Sequence, residues 1–128
     1  MRKFILLLFL STNCFAYELA KNYEEAKVKA DQTESVTSNK KHQSEILVPY
    51  FGKKYSTVLQ SCFKTVDTPD DSEFDVILAI DKNGDVKKVY RNRETNIARC
   101  MIGELEKDRF PKPIIAPFYI HFAMSFTG

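Results

Sequence analysis

Toward its end the chain alternates strictly, with Phe118, Ile120, Phe122, Met124 and Phe126 on one side and Tyr119, His121, Ala123 and Ser125 on the other. Successive side chains of a strand point to opposite faces, so this two-residue apolar period commits the stretch to β structure with one buried face. One strand cannot stand alone, and the rest of the chain must supply both its sheet and the cover for its apolar side. Phe74, Val76, Leu78 and Ile80 alternate as well, but Ile77 and Ala79 make the second face apolar too, the pattern of a central strand. Asp81-Lys82-Asn83-Gly84 ends that strand in a hairpin turn, because Asn and Gly tolerate the positive φ of a tight turn. Residues 85–91 return as a second strand, rich in Lys and Arg as an exposed edge is.

Two stretches carry helical spacing instead. Phe51, Tyr55, Val58, Leu59, Cys62 and Phe63 share one helix face, and Pro49 suits the first turn, where its missing N–H costs nothing. This helix is expected to stop before Thr68-Pro69-Asp70-Asp71. A second helix, capped by Thr95 or Asn96, buries Ile97, Met101 and Leu105 with Cys100 beside them, and stops before Pro111 and Pro113. The order is helix, strand, strand, helix, strand. A crossover helix makes strands two and three parallel to each other, so the third fits antiparallel beside the first. The expected fold is α+β: a three-stranded antiparallel sheet in the order two-one-three, with two helices on one face and one disulfide.

The start of the chain has a different character. Arg2 and Lys3, an apolar run over residues 4–10, and Cys14-Phe15-Ala16 form the three regions of a cleavable secretory signal. The run is far shorter than the roughly 20 residues that span a bilayer. Cys14 follows Ser11-Thr12-Asn13, which lacks the Leu and the small residue of a lipoprotein signal. Cleavage after Ala16 implies a mature protein beginning at Tyr17, exported and without a membrane anchor, and the shortness of the leader suits the periplasm of a Gram-negative bacterium. Residues 17–45 follow as a polar extension. Leu19, Tyr23, Ala26 and Ala30 are its only helically spaced apolar positions, enough for a marginal helix but not for one that offsets its own ordering entropy. Thr33-Glu34-Ser35-Val36-Thr37-Ser38-Asn39 reads as a flexible linker. The folded domain is assigned to residues 46–128.

Processing removes one of three cysteines and leaves Cys62 and Cys100, and an even pair in an exported chain is read as a disulfide. A redox-active pair is usually close in sequence, as C-x-x-C, which these two are not. The net charge of +2 falls to about zero once Arg2 and Lys3 are removed, so no strong field points to nucleic acid.

An amphipathic helix with Cys62, a strand running into Asp81-Lys82-Asn83-Gly84-Asp85-Val86, a helix with Cys100, the Arg109-Phe110-Pro111-Lys112-Pro113 element and a last aromatic strand ending in Phe126 stand in this order. Over residues 50–126 the chain resembles the TonB/TolA C-terminal domain superfamily, and most its two-cysteine AgmX/PglI-type branch. The resemblance implies a periplasmic protein-binding module that pairs with an extended peptide along a sheet edge. Having neither a transmembrane anchor after processing nor a long proline-rich spacer, the chain departs from the energy-transducing members.

Enzymatic chemistry finds little to build on. His121 is the only histidine outside the polar extension, which holds His42, and it reads as a half-exposed strand residue. Two distant histidines make no zinc site. Asp81, Asn83 and Asp85 imitate a calcium loop, but Gly84 falls at the fourth position and no Glu follows at the twelfth, so a hairpin turn explains them. No catalytic residue, metal or cofactor is expected. Binding surfaces remain. Lys87, Lys88, Arg91 and Arg93 form a basic stripe on the second strand, either a solvated edge or a surface for an acidic protein. Asp70, Asp71 and Glu73 form an acidic loop with the same two readings. Tyr119, His121 and Ser125 are expected to face away from the helices, along an edge with no neighbour. The extension, a second copy forming a homodimer, or the partner would cover that edge. Two functions fit: a module binding an envelope protein or peptide along the third strand, or an immunity-type inhibitor that blocks a toxic hydrolase.

Overall fold

The computed structural model describes residues 18–126; the leader assigned to residues 1–16 and the start at Tyr17 lie outside the described residues. The elements are α1 (Tyr23–Ser35), α2 (Thr37–His42), a π-helical turn (Gln43–Leu47), α3 (Val48–Thr65), β1 (Phe74–Ile80), β2 (Val86–Arg91), α4 (Asn96–Leu105) and β3 (Phe118–Met124). The sheet is ordered β2-β1-β3 and antiparallel throughout, the topology expected from the crossover argument.

The alternation seen in the sequence divides the sheet into two faces. Phe74, Val76, Leu78 and Ile80 of β1 join Phe118, Ile120 and Phe122 of β3 in the main core, against α3 and α4. Phe51 of α3 stacks on Phe122 with ring centroids 3.8 Å apart. Cys62 and Cys100 are joined by a disulfide that ties α3 to α4. Thr95 caps α4, its hydroxyl accepting the Ala98 amide at 2.9 Å. Asn96, the other candidate cap, instead accepts the Asp70 amide at 2.9 Å and steadies the connection before β1.

The hairpin between β1 and β2 is built by Asp81, whose Oδ1 accepts the amides of Asn83 and Asp85, each at 2.9 Å. Gly84 closes the turn at φ +93°, in the left-handed region. A Cβ there would sit 2.0 Å from the Phe110 carbonyl oxygen, so glycine is required for close approach as well as for conformation. The register with β1 shifts between Ala79 and Ile80, which makes Lys87 the extra residue of a bulge.

Residues 17–45 depart from the flexible-linker reading: over their described part they are helical and packed. Asn22 caps α1 by accepting the Glu25 amide at 2.9 Å, and Glu24 and Glu25 sit in the first turn, where the helix dipole favours acids. Ala26 and Ala30 are buried, with Ala20, against Ile77 and Ala79 of β1, Tyr90 of β2 and Tyr119 of β3. This is the second apolar face of the central strand, and α1 covers it. The stretch read as a linker is a corner at Val36 between α1 and α2. There the buried Asn39 amide donates to the Thr33 carbonyl at 3.0 Å, supplying a partner for the end of α1. Alanines fail to mark a helix as core-forming because each removes little surface from water. Packed against two tyrosine rings they suffice.

Candidate interaction surface

The placement of the two candidate surfaces follows from the order of the strands. β2 and β3 are the two edges with β1 between them, so the basic stripe and the last strand lie on opposite sides of the sheet. On β2, Lys88 pairs with Ala79 and so shares the α1 face, its ammonium 5.2 Å from the Tyr90 ring centre, while Lys87 occupies the bulge. Arg91 is engaged by Glu94, which also accepts from Arg99 at 2.9 Å. Arg93 is exposed. The four cations therefore do not present one face, and Arg91 is partly neutralised.

Of the β3 residues expected to face away from the helices, Tyr119 does not. It is 3% exposed and lies beneath α1, because the odd-numbered positions of β1 and β3 face that helix. Its hydroxyl accepts the Ala20 amide at 3.0 Å, while the Tyr90 hydroxyl donates to the Ala20 carbonyl at 2.7 Å. The two tyrosines thus clamp the backbone just before α1. Burial, aided by Tyr119, pushes the Tyr90 phenol well above its ordinary range. His121 is half-buried, its Nε2 2.9 Å from Asp75 Oδ2. The Tyr23 hydroxyl donates to the same oxygen at 3.4 Å, and burial together with the Asp75 charge pushes this phenol up to about 12. The pair thus lies between sheet and α1, where it fixes the helix. Ser125 is exposed just beyond the end of β3.

The outer edge of β3 can be read from one bond. The Asn92 amide donates to the Asp75 carbonyl, so the odd residues of β1 direct their polar groups to β2 and the even ones to β3. Phe118, Ile120, Phe122 and Met124 are paired with those even residues, which leaves the N–H and C=O of Tyr119, His121 and Ala123 on the outer edge. Near Phe118 and Tyr119 the flank is occupied by the chain passing from α1 to α3: His42 meets the Phe118 ring edge-on at 6.1 Å, and Leu47 enters the main core. Farther along, Ala123 and Ser125 are exposed. Beside them an apolar groove of about 600 Å³ runs between α3 and the chain after β3, lined by Leu59, Phe63 and Phe126 with Ser56, Gln60 and Lys64 on its rim. The sequence shows the alternation that makes this edge but not the groove, because Leu59 and Phe63 fall on the flank of the α3 stripe and read as ordinary core.

A second polar cluster has no counterpart in the sequence reading. Asp108, after α4, accepts hydrogen bonds from the Tyr50 hydroxyl (2.9 Å), the Lys54 ammonium (2.9 Å), the Tyr55 hydroxyl (2.8 Å) and the Arg109 amide (2.7 Å). Burial works to raise its pKa, but these four donors together hold the carboxyl below its ordinary range. The cluster fixes the connection after α4 against α3, and Arg109 carries it on to the hairpin, its Nε 2.8 Å from Asp85 Oδ1. Tyr50, Lys54 and Tyr55 lie on α3 far from Asp108 in sequence, so nothing local signals the site.

Among the described residues no three His, Cys, Asp or Glu side chains are grouped to hold a metal ion, and no helix is long and apolar enough to cross a membrane. Comparison with protein-family models, with curated proteins and with solved structures finds no match to this chain.

Proposed function

We propose that this protein is an exported, non-enzymatic interaction module of the type its sequence resembles, working in the periplasm and binding an extended segment of an envelope protein alongside β3. The observation that carries this reading is the pairing of an unpartnered strand edge at His121 and Ala123 with an apolar groove at its side. An added strand gains affinity from main-chain hydrogen bonds and specificity from pockets for alternate side chains, and both features stand side by side here. The edge strand is short and its first half is flanked by the α1–α3 connection, which limits unspecific pairing.

Photo-crosslinking from position 125 in intact cells identifies the bound protein. With that protein in hand, Ala123→Pro removes an outward N–H while sparing the bonds to β1, and is expected to weaken binding by about tenfold or more with the fold intact by circular dichroism. Normal binding by a folded Ala123→Pro, together with loss in a variant neutralised at Lys87, Lys88, Arg91 and Arg93, refutes edge pairing and moves the contact to β2.

A further inference from the structure

The 111–117 loop joins α4 to β3 and is fastened at both ends. Phe110 and Phe118 are buried, the Phe110 amide donates to the Gly84 carbonyl at 2.8 Å, and the Phe110 ring packs on Tyr50 at 4.8 Å. Between these anchors Pro111, Pro113 and Pro117 each fix one φ. The loop nevertheless displays Ile114 and Ile115, 50% and 46% exposed, and Val36 at the α1–α2 corner is 49% exposed. Ile115, Val36 and Pro117 line one groove of about 290 Å³, with Lys29 on its α1 side. A loop already ordered in water loses little further entropy when it docks, so adjacent apolar side chains on such a loop are a ready contact.

We infer that the 111–117 loop and the Val36 corner form a preorganised knob for an apolar, acid-rimmed cleft on a folded partner protein. The backbone of the loop chooses this occupant over a lipid surface. The amides of Lys112, Ile114, Ile115 and Ala116 form no backbone hydrogen bond with the described residues. In hydrocarbon they would lose water without replacement, whereas the wall of a protein cleft supplies acceptors. Lys112 and Lys29 flank the apolar residues and form no salt bridge with the described residues, which complements acidic groups around a cleft. The knob is separate from the His121–Ala123 edge, and such a loop also suits an inhibitor that plugs the cleft of a hydrolase.

The test places a photo-crosslinking residue at position 114 in the exported protein, with position 125 in parallel, and identifies adducts by mass spectrometry. The identified protein is then titrated with wild type, an Ile114→Ser/Ile115→Ser double variant, and Lys112→Glu, each checked for an unchanged melting curve. One folded protein is expected to be captured from position 114, with affinity lowered by about tenfold or more in the double variant and a salt-dependent loss in Lys112→Glu. Vesicles of equal parts phosphatidylglycerol and phosphatidylethanolamine are expected not to bind. Lys112→Glu keeps the test decisive should the double variant fail to fold. An adduct from position 125 alone removes the knob while leaving edge pairing in place. A lipid adduct, vesicle binding, a self-adduct, no adduct from position 114, or unchanged affinity also overturns it.

Discussion

Replacing Asp108 is expected to reveal how strongly the α4–β3 connection depends on one carboxylate. Its side chain is 3% exposed and receives four donors, of which the Tyr55 hydroxyl is buried and the Tyr50 hydroxyl, the Lys54 ammonium and the Arg109 amide are partly buried. Asp108→Ala strands the Tyr55 hydroxyl, at about 1–3 kcal/mol, and also removes the charge-assisted bonds from Tyr50, Lys54 and the Arg109 amide, together worth about 2 kcal/mol at these partly exposed positions. Lys54 is 42% exposed, so its ion pair is discounted for solvent screening. The sum is about 3–5 kcal/mol, in the range for breaking a buried charged contact and close to half the stability of a small domain. Asp108→Asn keeps an oxygen for three donors, and Tyr55 can rotate its hydroxyl to accept from the new amide, so the expected loss is about 1–2 kcal/mol. Urea titration of the oxidised protein at pH 7 measures both. The folded pKa of Asp108 is depressed, so its contribution is present above the unfolded carboxylate value of about 3.9 and is lost as pH falls through the folded value. Wild type is therefore expected to lose more stability than Asp108→Asn between pH 5 and strongly acidic solution. A loss below about 1 kcal/mol in Asp108→Ala, or identical acid profiles for wild type and Asp108→Asn, refutes the reasoning.

Cys62→Ser opens a disulfide between residues 38 apart, worth about 4 kcal/mol by chain entropy, and is expected to cost 2–5 kcal/mol in urea titration. On the proposed export, cell fractionation is expected to recover the protein from the periplasm beginning at Tyr17 with no free thiol, and two free thiols on mass spectrometry would contradict the bridge. Gly84→Ala meets both the +93° φ and the Phe110 carbonyl, so a loss of about 2–4 kcal/mol is expected; a near-neutral result would show that the hairpin tip moves independently of Phe110. Ala26→Asp puts a charge at a fully buried position on the sheet-facing side of α1, and hydrogen exchange should show amides of α1 losing protection while those of β1 and β3 keep theirs. Retained protection in α1 would contradict its docking through Ala26.

Wherever the information is local, the sequence determined the outcome: the two-residue period of β3, the helical stripe from Phe51 to Cys62, the hairpin at Asp81 and Gly84, and the caps and breakers that bound α3 and α4. Backbone conformation and side-chain period are set within a few residues, and a helix crossing over between the second and third strands makes them parallel, which left the third antiparallel beside the first. The second apolar face of β1 marked a central strand without showing that a helix would cover it. What covers the second side was decided by tertiary structure alone. Ala26 and Ala30 have too little surface to identify a buried helix, and only contact with Tyr90, Tyr119 and Ile77 makes them core. That contact buries Tyr119 and turns His121 toward Asp75, removing two residues that strand periodicity had placed at an open surface. The Asp108 cluster and the groove beside β3 are likewise tertiary, since each unites residues from α3 with others far along the chain. Period and turn chemistry fix which way a side chain points relative to its own element, while burial and charge pairing depend on what arrives from elsewhere to meet it.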